Sequence, residues 1–152
     1  MNEPVILGIG MHPWGKWGRN FVEYGAVAAR AALADAGLEW SDVQFVAAGN
    51  TMRNGYPGYV SGSTFAQALG WQGLPTSSSY GACASGAMAI DAGRARIRAG
   101  LADVVLVVGA DTAPKGFFGA VSAPTTSATS AFPARIRTRA ASSATAPEAQ
   151  AA

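Results

Sequence analysis

Strand-type and helix-type patterns of apolar positions take turns along the chain from Val5 to Gly109. Val5-Ile6-Leu7-Gly8-Ile9-Gly10 is a short apolar run closed by glycine, which predicts a buried strand. Asn20-Phe21-Val22-Glu23 has the Asn-x-x-Glu form of a capping box, in which two side chains satisfy amides that no preceding helical turn can pair. Apolar positions at Val22, Ala26, Ala29, Leu33 and Ala36 recur at helical spacing until Gly37, so a helix is predicted over about 20–36. Gln44-Phe45-Val46-Ala47-Ala48-Gly49 predicts a second strand. The stretch from Asn50 to Gly62, with Pro57 and glycines at 55, 58 and 62, predicts a loop. A shorter helix over roughly 62–69 closes at Gly70. Thr76-Ser77-Ser78-Ser79-Tyr80 reads as a weak third strand, about 83–99 as a long helix stopped by Gly100, and Asp103 to Gly109 as a strand buried on both faces.

Non-amphipathic strands alternating with helices predict an α/β fold, a mostly parallel sheet with helices on both faces. In such a sheet, sites lie beyond the carboxyl ends of the strands. The loops beginning at Gly10, Asn50 and Gly109 lie there, and so does Cys83, the only cysteine of the chain.

Cys83 follows a small-residue turn and opens a helix. A thiol in that position sees unpaired backbone N–H groups and the positive end of the helix dipole, and both favour the thiolate, which is the attacking form. Gly81, Ala82, Ala84, Ser85 and Gly86 leave room for a substrate carbonyl or another backbone to approach the sulfur. A lone cysteine otherwise behaves as a small buried hydrophobe; the order strand, small turn, Cys, helix favours a nucleophile here.

Composition narrows the classes. With 152 residues, 49% of them hydrophobic, the chain can bury a core. No apolar run reaches membrane-spanning length, and the N-terminus lacks a secretory pattern, so no membrane span and a cytoplasmic location are expected. The pI near 9.0 points superficially to nucleic acid. Yet residues 1–118 hold eight Lys/Arg and eight Asp/Glu, and the formal excess of +2 comes from Arg135, Arg137 and Arg139 against Glu148. With no basic folded face, a nucleic-acid partner is not expected. No metal-ligating cluster is seen.

Residues 1–118 read as one partial domain and 119–152 as a low-complexity tail, dominated by Ala, Ser, Thr and Pro and predicted to be disordered because it cannot bury enough surface to offset its ordering entropy. A native flexible tail is one reading. An out-of-frame translation of GC-rich coding sequence, truncating the protein after about residue 118, is the other and the favoured one.

Several ordered segments resemble the N-terminal half of a thiolase, especially the branch of sterol carrier or non-specific lipid-transfer proteins. They are Gly8-Ile9-Gly10 with His12-Pro13-Trp14-Gly15-Lys16-Trp17-Gly18, then Ala31 to Leu38, Gly49-Asn50-Thr51-Met52, Cys83 to Ile90, and Ile97 to Asp111. The resemblance stops near Phe118. It implies a thiolase fold and ping-pong acyl transfer, in which Cys83 attacks the carbonyl of an acyl-CoA or 3-ketoacyl-CoA, forms an acyl-enzyme and passes the acyl group on. The coenzyme A thioester is then a substrate, acyl-CoA or sterol-CoA, and no cofactor is bound permanently. The resemblance also implies a homodimer or hetero-oligomer of the full-length parent, with Gly81, Ala84 and Gly86 at the subunit approach. The histidine and second cysteine that the family takes from its C-terminal half have no counterpart here, since His12 suits a turn beside Pro13 better than catalysis. The chain is expected to be inactive alone.

Substrate contacts are expected from Tyr80, Ser85, Gly86 and Asp111. Tyr80 stands where thiolases commonly carry Asn, and Asp111-Thr112 where they carry Glu-Ser. Packing or a hydrogen bond near the thioester is open to Tyr80, and a site contact or a loop cap to Asp111. Lys16 and Arg53, among the aromatic residues Trp14, Trp17 and Tyr56, suit coenzyme A phosphates or packing at a domain edge. Arg94, Arg96 and Arg98 suit the C-terminal dipole end of their helix and solvent. Two functions stand: a thiolase-type acyltransferase, and a non-catalytic lipid-CoA binding or accessory role.

Overall fold

A computed structural model of the chain describes residues 3–13, 18–50, 60–111 and the backbone of 134–138. Strand β1 (Pro4–Ile9) leads to helix α1 (Phe21–Asp35), β2 (Phe45–Gly49), α2 (Ser61–Gly70), β3 (Thr76–Ser79), α3 (Ser85–Arg98) and β4 (Val104–Gly109), with β5 (Ala134–Thr138) beyond. The sheet order is β1-β5-β4-β2-β3. β2 pairs in parallel with β3 and β4, whereas β5 runs antiparallel to both its neighbours, β1 and β4. Four of the five strands therefore point one way, as the alternation of strands and helices predicts.

Local signals set the helix ends. The Asn20 side-chain oxygen accepts the Glu23 N–H at 3.0 Å, capping α1. At the other end Gly37, at φ +64°, lets Leu38 N–H reach the Leu33 carbonyl at 3.0 Å, and Gly37 N–H the Ala34 carbonyl at 3.1 Å. Gly100 ends α3 in the same way, with Leu101 N–H on the Arg96 carbonyl at 3.1 Å.

Two cores flank the sheet. Val46, Ala48, Leu106 and Val108 pack against Tyr24, Ala28 and Leu33 of α1 and Phe65 of α2. On the opposite face Phe45, Ala47, Val105 and Val107 pack against Ala89 and Ile97 of α3. β2 and β4 alternate between the two cores, which is why both read as unbroken apolar runs.

One expectation needs correction. The apolar run of β1 predicts a buried strand, but Val5, Ile6 and Ile9 are exposed because β1 is an edge strand of the sheet. Within the segment from Gly119, Ala134–Thr138 fills the gap between β1 and β4, whose facing edges supply backbone partners on both sides.

Candidate active site

The carboxyl ends of β2, β3 and β4 converge beside the N-terminus of α3. Between β3 and α3 the chain makes one turn of 3-10 helix, Ala82–Ala84, so α3 begins two residues later than the sequence predicts and Cys83 sits in the turn just before it. Ala82 has φ +49°, and is the one non-glycine residue with positive φ among those described. Such a backbone costs an alanine roughly 1–2 kcal/mol and persists only where its surroundings over-determine it.

Ser85 does much of that work. Its buried hydroxyl accepts the Gly81 N–H at 2.8 Å and shares its proton between the Ala82 and Asn50 carbonyls, both at 2.8 Å. Ala84 N–H closes the turn on the Gly81 carbonyl at 2.9 Å. Gly49 allows the close approach of α3 beneath the turn: a Cβ there would lie 2.5 Å from the Ser85 carbonyl oxygen. The Cys83 thiol is left exposed on a braced turn.

A cleft of about 190 Å³ opens here, lined by Cys83, Ser85, Gly86, Gly49 and Asp111 among others. Ala82, Ala89 and the end of β4 share its lining with these residues. Four of the expected residues, Cys83, Ser85, Gly86 and Asp111, thus meet at one place. Ser85 meets it with its hydroxyl turned to backbone, as a brace for the turn. Gly86 faces open space, since a Cβ added to it would touch nothing within 4 Å.

Tyr80, expected on the substrate, is not among the residues lining the cleft. Its hydroxyl accepts the Ser61 N–H at 3.1 Å, and Ser78 Oγ accepts the Gly62 N–H at 2.9 Å, so the two together cap α2, whose preceding residue Val60 has no capping group. Lys16 and Arg53 lie outside the described residues. His12 is buried, 4.6 Å from the Tyr24 ring, with Nδ1 2.8 Å from the Pro13 carbonyl; a carbonyl only accepts, so Nδ1 carries the proton. Arg96 differs from the solvent role expected of it by stacking over Phe45, 4.8 Å from the ring centre. Asn50, which opens the predicted loop and belongs to the Gly49-Asn50-Thr51-Met52 segment of the resemblance, is fully buried at the sheet's carboxyl edge.

Among the described residues no group of His, Cys, Asp and Glu could hold a metal ion, and no helix is long and apolar enough to cross a membrane. The family profile "Thiolase, N-terminal domain" matches residues 5–115. The chain belongs to the thiolase family. Chicken (Gallus gallus) sterol carrier protein 2 is 35% identical over 120 residues, 73% of this thiolase-family chain and 20% of that protein. An acetyl-CoA acetyltransferase of Methanocaldococcus jannaschii is 29% identical over 113 residues, again 73% of this chain and 29% of its own length. The chain therefore spans under a third of these relatives. Among solved structures, 3-oxoacyl-[acyl-carrier-protein] synthase III from Aquifex aeolicus superposes with TM-score 0.73 at 16% identity, over 88% of this chain and 53% of that one. The priming β-ketosynthase of the R1128 polyketide pathway does so with TM-score 0.70 at 17% identity, over 91% and 51%. At such identities they show the fold alone, and that fold is the thiolase-like one of condensing enzymes and acyltransferases.

Proposed function

We propose that Cys83 is the nucleophile of a thiolase-type acyl transfer on an acyl-CoA or 3-ketoacyl-CoA. The observation that carries this reading is the exposed thiol on a strained, braced turn, in a cleft at the N-terminus of α3. Attack of the thiolate on a thioester carbonyl forms a Cys83–acyl bond and breaks the bond to the coenzyme A sulfur, which leaves as a thiolate. Charge developing on the carbonyl oxygen is favoured beside the first turn of α3, whose N-cap Ala84 supplies no side-chain acceptor for the amides there.

Turnover needs a group to carry protons and a second half-reaction. The chain has one cysteine and one histidine, and His12 is packed into the loop after β1. The reading therefore assigns this chain a single acylation, with multiple turnover belonging to a longer protein or an assembly, a homodimer or hetero-oligomer. Lys16 and Arg53 are placed by this reading at the coenzyme A phosphates. The names of the sterol carrier relatives favour a second reading, lipid-CoA binding without chemistry.

Intact-mass spectrometry after incubation with acetyl-CoA separates the two. One acetyl group per chain, absent in Cys83→Ala, supports acyl transfer; binding of the acyl-CoA with no mass increase supports the second reading. Sustained thiolysis of a 3-ketoacyl-CoA by the purified chain would overturn the single-acylation assignment.

A further inference from the structure

We infer that Asn50 is a positioning residue that couples the two sides of the Cys83 cleft, an inference that rests on the acyl-transfer reading of that cleft. Asn50 follows β2 directly and is fully buried. Its backbone N–H donates to the Ser79 carbonyl at the end of β3 at 3.1 Å. Its carbonyl accepts the Ser85 hydroxyl at 2.8 Å, and its Nδ2 donates to the Ala110 carbonyl where the chain leaves β4. Three of its four polar groups thus tie three different segments: the end of β3, the nucleophile turn and the exit of β4.

The fourth, Oδ1, is buried and takes no hydrogen bond among the described residues. An amide is an expensive choice for such a place unless its other half is needed, because a buried acceptor left alone disfavours the folded state. The half in use is the Nδ2 bond to Ala110. Ala110 and Asp111 line the cleft from β4, and Ser85 holds Gly81 and Ala82 around Cys83. A displacement of the β4 exit is therefore passed through residue 50 to the thiol, along hydrogen bonds that are buried at Asn50 and part-buried at the turn.

The test cuts the tie on one side and reads the other. Asn50→Asp keeps both backbone bonds and sets a carboxylate oxygen against the Ala110 carbonyl. Gly81 N–H, whose acceptor Ser85 the substitution does not touch, should exchange with solvent at least about tenfold faster by NMR, while Ala29 and Leu33 in α1 keep their protection. Acylation of Cys83 by acetyl-CoA should slow at least about fivefold, with alkylation by iodoacetamide within about twofold, because a small reagent at an exposed thiol does not use the cleft. A merely structural role would loosen Gly81 and α1 together and change both labelling rates alike. The inference is overturned if Gly81 exchanges as in the unmodified chain, or if α1 loses protection to the same degree. Should Asn50→Asp not fold, Asn50→Ser, which cannot reach Ala110, is read by the same criteria. Should the unmodified chain take no acyl group from any acyl-CoA, the acyl-transfer reading fails, and the exchange comparison alone decides the coupling.

Discussion

Replacing Ser85 by Ala should unbrace the nucleophile turn at a cost the structure lets one work out. The hydroxyl makes three contacts at 2.8 Å and is 3% exposed as a residue, so water does not replace it freely. Losing it leaves Gly81 N–H without its acceptor, worth about 1–3 kcal/mol, and removes one donated bond shared by two carbonyls, worth about 0.5–1.5 kcal/mol. Against this, the turn can relax, and release of the left-handed Ala82 returns roughly 1–2 kcal/mol. The net loss is about 0.5–2.5 kcal/mol, centred on roughly 1.5 kcal/mol. With a urea dependence of about 1–3 kcal/mol per molar for a domain of this size, the unfolding midpoint should fall by roughly 1 M. Urea unfolding followed by circular dichroism measures the fall, and acetyl-CoA acylation of Cys83, compared below the transition, should drop with it. A midpoint within about 0.2 M of the unmodified chain would refute the reasoning, since it would mean that the three bonds are offset in the native state or made equally well by water.

Gly49→Ala would drive a Cβ to 2.5 Å from the Ser85 carbonyl oxygen and 2.7 Å from its carbon. These are backbone atoms at the start of α3 that cannot swing aside, so acylation of Cys83 should fall by about an order of magnitude in a mass-spectrometric time course. Gly25→Ala places a Cβ 2.2 Å from the Phe65 ring, which overpacks the contact of α1 with α2; a loss of about 1–3 kcal/mol in urea unfolding is expected, with the iodoacetamide rate of Cys83 unchanged. Glu3→Gln breaks the 3.3 Å ion pair with Arg98, both of them well exposed, and should leave the unfolding midpoint where it is.

The sequence was readable where a signal is local. Asn20 as a cap, Gly37 and Gly100 as stops, and the two-sided burial of Val104–Val108 each rest on a few neighbouring residues, and each holds in the structure. Cys83 at the head of α3 was legible for the same reason. What stayed hidden depends on partners distant along the chain. The Tyr80 hydroxyl meets Ser61, the Ser85 hydroxyl meets Asn50, and Asn50 meets Ala110, pairings that no spacing rule announces. Strand β5 was hidden twice over, because Ala, Arg and Thr around one Ile136 give a weak strand pattern and because its partners lie at the other end of the sequence.

That pairing bears on the order in which the sheet forms. Ile6 sits opposite Ile136, so β1 waits for that distant segment of the chain before its backbone finds a ladder partner. The unit from Phe21 to Gly109 needs no such wait, since β2, β3 and β4 pair with one another and carry α1, α2 and α3 on their faces. The Cys83 turn therefore rests on a three-stranded platform of nearer pairings, whereas the pairing of β1 with β5 spans the sequence from Ile6 to Ile136 and is expected to form more slowly.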